Sequence, residues 1–88
     1  MDIRVLLREP HAYMFTPKTE AEVRATLSES LKEYRALRGL SQEGLATVAG
    51  VNRTFVSQIE RQQKNVSIES LRRLANALQC EVYQLLGG

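Results

Sequence analysis

The stretch Ser41–Glu60, SQEGLATVAGVNRTFVSQIE, constrains the fold more than any other part of the chain. Ser41 can cap a helix, its hydroxyl accepting a hydrogen bond from an otherwise unpaired first-turn amide. Leu45, Ala46, Val48 and Ala49 supply an apolar face for a helix of about two turns. Gly50 follows where the chain must reverse, because glycine enters the left-handed region at least cost. Val51 then packs into the corner, and Asn52 is placed to cap a second helix. In that helix Phe55, Val56 and Ile59 share one face, while Thr54, Ser57, Gln58 and Arg61 fall on the other. Arg53 stands at the edge of the polar side, near the N-terminus.

A solvated amphipathic helix is the bland alternative, since most polar helix faces simply meet water. The joint pattern argues otherwise. A small residue at the helix crossing (Ala46), a glycine four residues later, and apolar Val56 and Ile59 are together what a compact helix-turn-helix needs. The outward side chains also suit base edges: Arg pairs with guanine, Gln with adenine, and Ser or Thr with either.

Composition narrows the alternatives. Eighty-eight residues, 43% of them hydrophobic, suffice for one core and leave no room for a second. No apolar run approaches the roughly 20 residues of a membrane span, and no signal-peptide pattern precedes the first charges. The single cysteine fits a reducing cytoplasm, and Cys80 reads as a small core residue near a helix end rather than a redox switch. With one His and one Cys no protein-only zinc site forms. Neither a Ser–His–Asp set, a phosphate-binding glycine loop nor a paired-carboxylate pocket is present, so no enzyme activity and no cofactor are expected. Net charge is +2 but uneven. Residues 1–31 carry four basic and five acidic side chains, whereas residues 32–88 carry eight and five. The positive excess lies with the motif, as phosphate binding requires.

Elsewhere the chain reads as four more elements. Residues 2–7, DIRVLL, can form a strand, although Leu6 beside Leu7 breaks the alternation. Pro10 and Pro17 bracket an extended or turning segment. Thr19 with Glu22 makes a capping box that starts a long helix carrying Val23, Leu27, Leu31, Tyr34 and Leu37, closed by Gly39. A further helix begins near Ser67, with Ile68, Leu71, Leu74, Ala75 and Leu78 inward. A short one spans about 81–86. The expected fold is all-α, five helices at residues 19–88, preceded by an extension of residues 1–18. That extension is either a frayed tail or an arm, its 2–7 segment pairing with a second subunit or lying on its own domain.

From about Leu27 to Leu86 the chain resembles the phage-repressor type of helix-turn-helix domain, the Xre-like family. LRGLSQEGLA, VNRTFVSQIERQ and SIESLRRLANAL carry the likeness. NRTFVSQIER followed by NVSIESL is most similar to the small controller proteins of restriction-modification systems. The resemblance implies a sequence-specific regulator of transcription that binds double-stranded DNA, with the helix near 52–61 in the major groove. Arg53, Thr54, Ser57 and Gln58 align with base-reading positions. Gln42 aligns with a phosphate contact at a helix N-terminus, where free amides attract an anion. Asn52, Lys64 and Asn65 flank the reading helix as candidates for backbone contacts, and Arg61 is either another or a solvated surface residue. Glu60 would be unfavourable against phosphate; the family pairs it with a basic residue of the first helix, here Arg35.

Two departures stand out. Gly44 occupies a helical position usually held by a helix former, through either marginal local stability or a close backbone approach. Gln62 stands where the family commonly has glycine, which bears on the path of the 62–66 loop. Family dimers use the last helix, which points to Val82, Tyr83, Leu85 and Leu86, with a pure core role as the rival. A homodimer on a palindromic operator, the usual route to specificity from one short helix, would place half-sites about 34 Å apart. Such a regulator is autoregulatory, blocking RNA polymerase or touching it from an adjacent site. The alternative is the antitoxin of a toxin–antitoxin pair, whose extension docks a protein partner; a third is a protein-interaction module that has abandoned DNA.

Overall fold

The computed structural model describes residues 17–88, so the strand expected at residues 2–7 lies outside the described part of the chain. Five helices follow in order: α1 Glu20–Leu37, α2 Gln42–Ala49, α3 Arg53–Glu60, α4 Ile68–Leu78 and α5 Val82–Leu85. No strand occurs among the described residues, and the fold is all-α. α1 packs on α3 and α5, α2 on α3 and α4, and α4 on α5.

Side chains written just ahead of the first four helices set where they start. Thr19 Oγ1 accepts from the Glu22 amide at 3.1 Å, and the Glu22 carboxylate accepts from the Thr19 amide at 2.8 Å, a reciprocal capping box. Ser41, Asn52 and Ser67 accept from the amides of Gly44, Thr54 and Ser70 at 2.9, 2.7 and 3.0 Å. Each bond satisfies a donor that the helix itself leaves unpaired.

The ends share one device. A backbone amide just past each helix donates to a carbonyl five residues back: Leu40 to Arg35, Val51 to Ala46, Gln63 to Gln58, Cys80 to Ala75 and Gly88 to Tyr83. The residue before each donor is left-handed, the signature of the Schellman motif. Glycine serves at Gly50 (φ 72°), but Gln62 and Gln79 adopt φ of 63° and 58° with full side chains. Gln62 therefore keeps the turn that glycine usually makes, at a backbone cost of about 1–2 kcal/mol.

Leu31, Leu45, Val56, Leu74, Leu78 and Leu85 are wholly buried at the centre, with Leu27, Ala46, Ala49, Ile59, Leu71 and Ala75 around them. Cys80 packs against this cluster. Four expected core residues are instead exposed, Val23 in the first turn of α1 being 42% exposed. Val48 falls off the inward stripe that Leu45, Ala46 and Ala49 define, and is 61% exposed. Ile68, at the first helical position of α4, lies a turn ahead of the buried stripe and is 84% exposed. Leu37 ends α1 beyond its last packed turn and is 70% exposed. At Gly44 an added Cβ would meet first Ser41 Oγ at 3.2 Å and Leu40 at 3.5 Å, both just ahead of α2, so no other helix makes a close approach there.

Replacing Gln62 by glycine should relieve the left-handed strain and raise stability by about 1 kcal/mol, a rise of several degrees in Tm. Thermal unfolding of the two proteins checks this. An unchanged or lower Tm would mean the glutamine side chain makes a compensating contact.

Candidate nucleic-acid interface

α3 is held from its C-terminal end. Its last residue, Glu60, is only 7% exposed although charged. The carboxylate accepts from Arg35 Nε at 2.7 Å and Arg35 Nη2 at 3.0 Å, a two-pronged pair from α1. Gln42 Nε2, at the start of α2, adds a third donor at 3.0 Å. The Glu60 backbone carbonyl accepts from the buried Ser28 hydroxyl at 2.7 Å. Arg35 reaches further, its Nη1 donating to the Leu40 carbonyl at 2.9 Å and so fixing the α1–α2 turn. Burial disfavours the charged carboxylate and is the largest single influence on it. The bonds from Arg35 and Gln42, with the charges of Arg35 and Lys32, together hold its pKa below the ordinary 4.5.

The α2–α3 corner sets the roll of α3. Gly50 reverses the chain, and Val56 and Ile59 are buried in the core that also takes up Leu45, Ala46 and Ala49. With those side chains inward, the opposite side is fixed by helical geometry. Arg53 and Thr54 are exposed there, and Ser57 and Gln58 are half-buried. Thr54, Ser57, Gln58 and Arg61 fall at the spacing of one helix stripe. Arg61 is exposed; it donates to the Ser57 hydroxyl and, at 3.2 Å, to Gln63 Oε1. Asn52 uses its side-chain oxygen as a cap, leaving its amide hydrogens for other contacts. Lys64 and Asn65 are exposed in the loop after α3, and Asn65 Oδ1 accepts from Arg24 Nη1 at 2.8 Å.

Charge is sorted by the same packing. Glu60 is the only acidic residue between Gly44 and Ile68, and it is turned into the scaffold. On α4, Glu69 takes Arg72 at 2.6 Å and Arg73 at 3.0 Å, bonds that push its carboxyl down to about 2. Those two arginines are thereby committed on α4. The outward surface of α3 and its following loop is left with Arg53, Arg61 and Lys64 and no exposed acid. Such a surface suits a polyanion.

Sequence reasoning missed three contributors. Arg24 braces the α3–α4 loop through Asn65, and Ser28 ties α1 to the end of α3. Arg38 donates to the carbonyls of Leu78 and Gln79 at 2.8 and 3.3 Å, closing the C-terminus of α4 with a cation. Ser28 stands seven residues before Arg35 on the face of Leu31, a helical spacing that could have revealed it. One expectation is corrected here. Leu85 is wholly buried in its own domain, so it is a core residue and has no surface to offer a partner. Tyr83 and Leu86 are 62% and 43% exposed, and Val82 is half-buried.

Two short helices crossing at a left-handed turn, the second presenting a basic and polar face, define a DNA-binding transcription regulator of the helix-turn-helix class. The chain belongs to the helix-turn-helix family HTH_3, whose model matches residues 31–85. It is 38% identical to the control protein C.SmaI of Serratia marcescens over 74% of this chain and 77% of that protein. A hypothetical transcription factor from Neisseria superposes with a TM-score of 0.73 at 38% identity, over 77% of this chain and 76% of that one. The restriction-modification controller C.AhdI of Aeromonas hydrophila superposes with a TM-score of 0.68 at 40% identity, over 70% of this chain and 94% of that one. These relatives are regulators and controllers, not enzymes. Among the described residues no cluster of His, Cys, Asp or Glu is arranged to hold a metal, and no helix is long and apolar enough to cross a membrane.

Arg35→Ala should destabilise the domain by about 3 kcal/mol, because it strands a buried carboxylate. Arg35→Lys should recover only part of this, since one ammonium cannot make the two-pronged pair. Denaturant unfolding of both variants provides the measurement. A midpoint for Arg35→Ala equal to that of the unmodified protein would rule out a stabilising pair.

Proposed function

We propose that the protein is a regulator of the restriction-modification controller kind, working in the cytoplasm as a homodimer on a two-fold symmetric operator in its own promoter. The observation that carries this reading is the outward face of α3. Arg53, Thr54, Ser57 and Gln58 stand together there while the one nearby acid is withdrawn to 7% exposure. The likeness to C.SmaI and C.AhdI, each covered for most of its length, supports the controller assignment.

On this reading α3 enters the major groove, and Arg53 makes the leading base contact, a two-pronged bond to guanine. Gln58 reads a second base; Thr54 and Ser57 reach a thymine methyl or a phosphate. Gln42 keeps one amide hydrogen on Glu60 and turns the other toward phosphate, at the N-terminus of α2. Asn52, Arg61, Lys64 and Asn65 hold register on the backbone. Tyr83 and Leu86, exposed at the end of the fold, supply the apolar centre of the dimer interface, with Val82 beside them.

Footprinting on the gene's upstream region should give two protected half-sites about 34 Å apart, centre to centre. Arg53→Ala should lose about 1–3 kcal/mol of discrimination at one base pair of each half-site. Lys64→Ala should weaken binding to every duplex and lower the salt dependence by about one counterion. Tyr83→Asp should give a folded monomer by sedimentation. A single unsymmetric footprint, or a Tyr83→Asp protein that remains dimeric, contradicts the corresponding part of the proposal.

A further inference from the structure

Four polar side chains on or beside α3 have an oxygen engaged by a donor of the protein itself. Asn52 Oδ1 accepts from the Thr54 amide at 2.7 Å. Ser57 Oγ accepts from Arg61 Nη1, and Gln63 Oε1 accepts from Arg61 Nε at 3.2 Å. Asn65 Oδ1 accepts from Arg24 Nη1 at 2.8 Å. Backbone amides and guanidinium groups can only donate, so chemistry fixes which end of each side-chain amide they meet. Asn52, Ser57, Gln63 and Asn65 thus keep their hydrogens for other contacts. Phosphate oxygens only accept, and side chains that donate are what they require.

Asn65 is the one whose polarity is set from a distant helix. The loop after α3 is tied at both ends: the Gln63 amide donates to the Gln58 carbonyl at 2.8 Å, and Val66 packs against the core. Between those ties Lys64 and Asn65 are exposed. An exposed asparagine with no fixed partner turns its amide either way, and ordering it on binding costs entropy. Arg24 removes that choice. It reaches from the second turn of α1, 41 residues earlier in the chain, and a guanidinium can hold only the oxygen. The amide hydrogens of Asn65 therefore stand at the end away from Arg24. Arg24 also lies ahead of residues 31–85, the stretch that the family model matches.

We infer that Arg24 is a positioning residue for DNA binding: by holding the Asn65 oxygen it aims the Asn65 amide hydrogens at a backbone phosphate, beside the Lys64 ammonium. The inference rests on the phosphate contacts proposed above for this loop. Arg24 is half-buried and donates to Asn65, so it acts through that side chain rather than as one more cation on the surface. Its contribution is the same on every sequence, because a phosphate carries no base identity.

A double-mutant cycle tests this, with the full-length protein titrated by fluorescence anisotropy onto two labelled duplexes, the gene's upstream region and one of unrelated sequence. Asn65→Ala should weaken binding to both duplexes about three- to tenfold, the worth of one hydrogen bond. Arg24→Ala should do nearly the same. The double variant should bind within about twofold of Asn65→Ala alone, because the second change removes nothing further. Arg24→Met, which keeps an unbranched stem but has no donor, should match Arg24→Ala, with helicity by circular dichroism unchanged in both. Effects that multiply in the double variant would overturn the inference alone, by making Arg24 an independent cation. Full affinity in Arg24→Ala and Arg24→Met beside a weakened Asn65→Ala would also overturn it alone, by leaving Arg24 a structural brace. Full affinity in Asn65→Ala would overturn the proposed phosphate contact of Asn65, and the inference with it.

Discussion

The Glu60 carboxylate is the point on which the reading helix hangs. Three donors from two helices converge on it, and the carbonyl of the same residue takes a fourth from Ser28. Replacing a buried ion pair by apolar residues can leave a protein as stable, so net stability alone does not explain this arrangement. Geometry does. Arg35 binds α3 through Glu60 and the α1–α2 turn through the Leu40 carbonyl, while Gln42 brings in the start of α2. An apolar triad would fill the same space but would fix neither the axial position nor the roll of α3 so closely.

The lock also resolves a conflict of charge. An acidic residue at the end of a helix that faces phosphate would repel it. Burying the acid against Arg35 removes that repulsion, leaving Arg53, Arg61 and Lys64 to set the local potential. α4 treats Glu69 differently, pairing it with Arg72 and Arg73 at the surface. The outward face of α3 and its following loop is thereby basic although the net charge of the chain is only +2.

Much of the architecture was legible because it rests on local rules. Thr19, Ser41, Asn52 and Ser67 each stand one residue ahead of a helix and cap it, and Gly39 and Gly50 take the left-handed turns. The apolar periods of α1 and α4 located most of the core, but periodicity over-reached at Val23, Val48, Ile68 and Leu37. These sit at the edge of a stripe or in a terminal turn, where the number of flanking helices decides exposure. The left-handed Gln79 was invisible because its side chain does not announce it. Long-range side-chain bonds were hardest to read. Arg24 to Asn65 and Arg38 to Leu78 span about forty residues of sequence, and no spacing rule links them. Leu85 and Leu86 could not be separated from sequence, since only the packing of α5 on α1 and α4 sends one inward and leaves the other exposed.

Burial and pairing pull the Glu60 proton in opposite directions, so the sign of its shift tells which prevails. Burial alone would raise the pKa above 4.5; the bonds from Arg35 and Gln42 lower it. With the folded value depressed, its contribution to stability is fully present above the unfolded value and is lost as pH falls through the folded one. A carbon-13 NMR titration of the Glu60 carboxyl in the intact protein measures this directly. A midpoint below 4.5, abolished when Arg35 is replaced, is the result the ionic lock predicts. A midpoint above 4.5 would mean that burial outweighs pairing, and that α3 is not held by the charge its position depends on.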